Sequence, residues 1–128
     1  MLRFVNVVRL LVGYLAAALT GVPVRTKLPD KDLTTRLPFV RVIRDPGSEE
    51  ETTARPRVTL ECFAADEATM WELAEASHNA MRALSGSSMG GQLVDVVLTV
   101  QDPTDRPWSP TVARSVAVYE LQLRPTAA

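Results

Sequence analysis

The sequence predicts an α+β fold: an antiparallel, in part mixed, sheet of four to five strands with two main helices packed on one face, in a single domain over 1–128. Three observations predict it. Segments 1–20 and 66–84 repeat apolar residues at helical spacing. Other segments alternate apolar and polar residues with a period of two, bounded by Pro, Gly and Asp. No repeat and no linker divides the 128 residues, a length suited to one core.

The first helix places Phe4, Val8, Leu11, Leu15 and Leu19 on one side and Arg3, Asn6, Arg9, Gly13 and Thr20 on the other. The same stretch has the layout of a signal peptide, with two arginines, an apolar run from Leu10 to Leu19 and small residues at Ala16-Ala17-Ala18. It is shorter than the ~20 apolar residues of a membrane span. The polar stripe favours a folded amphipathic helix, because a signal sequence needs no stripe. Val5, Val7, Val12 and Tyr14 widen the apolar arc, so the helix either lies deep in the core or also meets a partner chain.

Gly21 ends this helix. Pro23, Pro29 and the charged stretch through Arg36 predict a short strand and an exposed connection. Residues 38–44 read as a strand closed by an Asp45-Pro46-Gly47 turn, followed by a polar, acidic loop over 48–53. In the strand 57–63, Val58, Leu60 and Cys62 face one way, Thr59 and Glu61 the other, which makes Cys62 a buried small hydrophobe rather than a nucleophile. Asp66 caps the second helix, whose core arc is Met70, Leu73, Ala74, Ser77, Ala80, Met81 and Leu84. Trp71 and His78 fall outside that arc with Glu75 and Arg82, so Trp71 either lies over the helix flank or anchors a subunit contact. Two strands complete the chain. Val94, Val96, Leu98 and Val100 share a face of 93–100, and the alternation in 112–124 changes phase near Val118-Tyr119, as at a bulge. Between them, 101–111 is a loop presenting Trp108 among three prolines.

Enzyme chemistry finds no footing here. Gly86-Ser87-Ser88-Met89-Gly90 matches G-x-S-x-G, but the nucleophile elbow needs a strand before it and a helix after it, and here the order is reversed. His78, the single histidine, precedes the serine and reads as a surface residue. One cysteine and one histidine exclude a disulfide framework and a Cys/His zinc site, no G-K-[ST] follows the glycines, and no cofactor motif is present. Net charge is −1, which gives no basic excess for nucleic acid. That sum conceals a gradient. Residues 1–45 hold eight Arg and Lys against three Asp and Glu, and residues 46–128 hold six against twelve. Either local helix and loop needs produce it, or the subunit has two chemically different surfaces.

With the elements placed, the chain resembles the tail terminators of siphophages. The resemblance runs in order from the N-terminal amphipathic helix through LPFVRVIRDPG at 37–47 and RPRVTLECFA at 55–64 to DEATMWELAEASHNAMRAL at 66–84. It ends with the Gly-rich connection and a strand pair closing in YELQLR at 119–124. The family implies a non-enzymatic virion protein, assembled in the host cytoplasm. It implies a hexameric ring at the head-proximal end of the tail, ending tube growth and joining tail to head. The implied partners are further copies of itself, the major tail tube protein and the head–tail connector, with DNA passing through the lumen unbound and no membrane involved. A closed heterologous ring needs two different patches per subunit. Candidates are Trp71, His78, Arg82, Trp108, Arg41, Arg44, Glu49, Glu50 and Glu51. Alternatives are a head-completion or neck protein of the same machinery, and a small bacterial α+β enzyme or ligand-binding domain.

Overall fold

The computed structural model describes residues 6–29, 33–45 and 55–124. In chain order the elements are α1 (Val7–Ala18), β1 (Val24–Arg25), a 3-10 turn (Leu33–Thr35), β2 (Phe39–Arg44), β3 (Arg57–Ala64), α2 (Glu67–Leu84), β4 (Ser87–Met89), β5 (Gln92–Asp105) and β6 (Ala113–Leu123). The strands form one sheet in the order β1-β2-β3-β6-β5-β4, with β1 and β2 parallel and every other pair antiparallel. The α+β class and the mixed sheet with two helices on one face are as expected, with six strands instead of four to five.

Helix α1 starts where the Asn6 side chain accepts the Arg9 N–H at 3.1 Å, capping one of the helix's unpaired donors. It ends ahead of a turn in which Val22 N–H reaches the Leu19 carbonyl and Gly21 takes φ +82°. Val7, Leu11, Leu15 and Leu19, spaced by four, are buried against the sheet, while Asn6, Arg9, Gly13 and Thr20 are exposed. Leu10, Val12 and Tyr14 are half-buried, so most of the broad apolar arc is used inside the chain. Phe4 and Val5 lie outside the described residues. Helix α2 is capped by Asp66, whose carboxylate accepts the Thr69 N–H at 2.7 Å and so ionises more readily than an ordinary aspartate. Its buried positions are the expected arc, with Ala80 half-buried. Tyr14 Oη donates to the Ala80 carbonyl at 2.7 Å and ties the helices together.

Three features depart from expectation. The glycines at 86–91 do not form a flexible connection: Ser87–Met89 pairs with Gln92–Val94 as a hairpin. Gly90 and Gly91 have φ +54° and +83°, the positive values a two-residue hairpin turn requires. Strand β5 continues to Asp105, through most of the predicted loop, and Leu98 and Val100 are 44% and 45% exposed although Val94, assigned to the same face, is buried. Strand β6 keeps strict alternation, with Ser115, Ala117, Tyr119 and Leu121 buried, and has no change of phase at Val118-Tyr119. The register shifts fall on β5, between Val94 and Val96, Thr99 and Gln101, and Gln101 and Thr104. Each leaves one extra residue on β5. Extra residues bend and twist a strand, which curls the sheet into a half-barrel.

The curl brings the outermost strands to one helix: α1 touches β1 and β2 near one edge and β4 at the other. A Cβ built on Gly90 would lie 2.6 Å from Leu10 Cδ2, which measures how closely the β4–β5 turn approaches α1. The main core lies between the helices and the inner sheet face. Cys62 is buried there, its Sγ 3.6 Å from Ser77 Oγ, with its thiol pKa raised by burial. No helix among the described residues is long and apolar enough to cross a membrane.

Two tests follow from this packing. Leu11→Ala empties a fully enclosed site and is expected to cost about 3 kcal/mol, visible as a lower urea midpoint at unchanged slope. An unchanged midpoint would show α1 to be peripheral. The chain's two tyrosines, Tyr14 and Tyr119, both have pKa values raised above 10.0 by burial. An unfolded phenol loses its proton near 10.0 and a folded one above it, so stability falls as pH rises past that value. In alkaline titration, tyrosinate absorbance of the native protein should lag that of the urea-unfolded chain. Coincident curves would contradict the burial of both rings.

Candidate assembly site

The opposite, outer face of the sheet holds the densest polar network. Across β2, β3 and β6 the register sets Arg41 opposite Glu61, with Arg114 opposite Phe63 one step along. Glu61 lies on the face opposite Val58, Leu60 and Cys62, as the alternation predicts, yet it is only 5% exposed. One of its carboxylate oxygens pairs with Arg41 and the other with Arg114 Nη1 at 3.0 Å. A carboxylate taken this far out of water needs such partners. Arg114 is held twice more. Its Nε donates to the Arg106 carbonyl at 2.9 Å, and its guanidinium lies 5.1 Å from the Trp108 ring centroid.

An apolar cluster adjoins the charges. Phe39 and Phe63 stack at 4.6 Å between centroids, and Trp108 meets Phe63 edge-on at 5.7 Å. Leu28, Leu33 and Leu37 pack on the pair, so the connection after β1, expected to be simply exposed, forms a second small core. Trp108 is 41% exposed but rooted: one ring face serves the fold and the remainder meets solvent.

The predicted surface residues divide between two sides. Arg41 and Trp108 share the outer-face network through Glu61, Arg114 and Phe63. Arg44 is half-buried at the end of β2. Trp71, His78 and Arg82 are on α2, across the sheet. Trp71 is 38% exposed, its indole N–H donating to Glu67 Oε1 at 3.4 Å, and Arg82 is exposed in the last turn. His78, expected at the surface, is half-buried and hydrogen-bonded through Nδ1 to the Tyr119 hydroxyl at 2.8 Å, so its ring turns toward β6. Glu49, Glu50 and Glu51, with the Pro46-Gly47 turn and the rest of the acidic loop, lie outside the described residues. Glu61 and Arg114 were not picked out in the sequence. The available hint was an acidic residue set between Leu60 and Cys62, and its partners depend on register.

Ser88 is an exposed residue of the edge strand β4, whereas His78 is hydrogen-bonded to Tyr119 of β6. Among the described residues no three His, Cys, Asp or Glu side chains gather closely enough to hold a metal ion. A cleft of about 210 Å³ between the start of α2 and residues 105–113 is lined by Asp66, Glu67 and Asp105, carboxylates that disfavour an anion at that helix terminus.

The ion cluster can be tested directly. Glu61→Leu leaves Arg41 without its carboxylate and Arg114 with only the Arg106 carbonyl, on a face where each arginine is about one-fifth exposed, and should cost about 3 kcal/mol in urea unfolding. Arg41→Met should cost less, because Glu61 keeps Arg114. Losses below about 0.5 kcal/mol for both would mark the cluster as a solvated surface pair.

Comparison with known proteins supplies the identity. A family model described as phage tail termination protein matches residues 3–101. A chain of the solved "Virion of native gene transfer agent (GTA) particle" shares the fold, with a TM-score of 0.59 at 16% identity, covering 88% of this chain and 84% of that one. No curated protein matches. Over most of its length, then, this chain is a member of the phage tail termination protein family, a family of structural, non-enzymatic proteins of the virion tail.

Proposed function

We propose that the chain is the subunit of a closed ring, six copies in the reading that the resemblance implies, seated on the head-proximal end of the tail tube. Bound there, it ends tube polymerisation and offers its other side to the head–tail connector, while DNA passes through the lumen without specific contacts. The match of the tail-termination family over residues 3–101 carries this reading. The physical logic is one of mismatched faces. A tube of stacked rings stops growing when its last ring lacks a surface complementary to the next tube subunit, so the terminating subunit needs distinct lateral, tube-side and connector-side patches.

The exposed part of α2, with Trp71 near its start and Arg82 in its last turn, suits one axial contact, since exposed tryptophan and arginine match the composition of interface centres. The outer sheet face, with Trp108 above Arg114, suits another.

Purified chain added to polymerising tail tube protein should stop tubes at natural length, with density at one end in electron micrographs. Trp71→Ala should weaken capping at least tenfold while leaving circular dichroism intact, because its ring contributes little to the core. Tubes that elongate unchecked would overturn the reading. Label located in the neck of whole virions, away from the tube end, would favour a neck protein instead.

A further inference from the structure

Sheet order separates two edges of opposite charge. At one edge, β4 pairs only with Gln92–Val94, so β5 beyond it has β6 on one side and no strand on the other among the described residues. This open stretch carries Leu98 and Val100, two of the five large apolar side chains that are most exposed, and Asp102 and Asp105. Both aspartates are exposed, and neither carboxylate has a partner among the described residues. An open strand edge with exposed apolar side chains invites pairing with another chain, and Pro103, which lacks an N–H, limits that pairing to the residues before it.

At the other edge, β1 sets Arg25 in parallel register beside Arg41. Arg41 has Glu61, but Arg25 Nε is buried with no acceptor among the described residues. Such an unmet donor is costly, and a carboxylate from outside the chain could pair only with the more accessible end of the half-buried guanidinium. Lys27, exposed two residues on, adds a second positive charge to the same edge. Arg25 and Lys27 thus stand at one end of the sheet and Asp102 and Asp105 at the other.

We infer that neighbouring copies of this chain join edge to edge, the open β5 stretch with Leu98, Val100, Asp102 and Asp105 of one copy meeting the Arg25–Lys27 edge of the next. The contact is heterologous, as a closed ring requires. This inference rests on the ring reading above and names the contact that reading leaves open.

Charge exchange tests it. Asp102→Lys with Asp105→Lys, and separately Arg25→Glu with Lys27→Glu, place like charges at the seam, and each pair should raise the concentration needed for ring formation by about tenfold or more. Combining all four substitutions restores opposite charges and should recover assembly to within a few-fold of wild type, with circular dichroism confirming the fold of each variant. Ring formation is read by electron microscopy on tube ends and by light scattering, with wild type in parallel. Wild-type rings accompanied by unimpaired reversed-charge variants, or by a four-fold variant no better than its parents, would overturn the edge contact while leaving the ring intact. A wild type that never forms rings on tubes would overturn the ring reading itself.

Discussion

Six strands curl far enough that α1 spans both ends of the sheet, and much of the structure follows from that packing. Val7, Leu11 and Leu15 enter the trough of the half-barrel with no more than 1% of their surface left exposed. The trough exists because β5 carries three extra residues relative to β6 and bends where they fall. The Gly90-Gly91 turn then approaches α1 so closely that no side chain fits at Gly90 without moving Leu10. A flat sheet could not present both β1 and β4 to one helix.

Filling one face this way leaves the other to be managed. Central β3 is buried on both sides, so Glu61 cannot reach water freely and is paired with Arg41 and Arg114 instead. The same arginine that completes this cluster supports Trp108, which rests on Phe63. The outer face is therefore a second, partly polar core with an aromatic rim. For a structural protein of a virion tail, such a division is useful: the inner face secures the subunit, and the outer face, edges and exposed flank of α2 stay available to other chains.

Much of this was legible in the residues alone. The two helices, their caps and buried arcs, and the alternation in 57–63 follow from periodicity within a single segment, since a helix or strand declares its buried side by local spacing. The order and texture of those segments also pointed to the tail-terminator family. The Gly90-Gly91 hairpin was in principle visible from the glycine pair but was absorbed into a connection, because β4 is only three residues long.

Local spacing decided the identity of the helices and the buried state of Cys62. Register decided the rest. Whether Glu61 is solvated or enclosed depends on which residues lie across from it on β2 and β6. Whether Leu98 and Val100 are core depends on how far β5 outruns β4. Whether β5 or β6 carries the irregularities depends on counting both strands against each other. Each of these is a relation between segments distant in sequence, set by the sheet as a whole, and a single strand's pattern does not contain it.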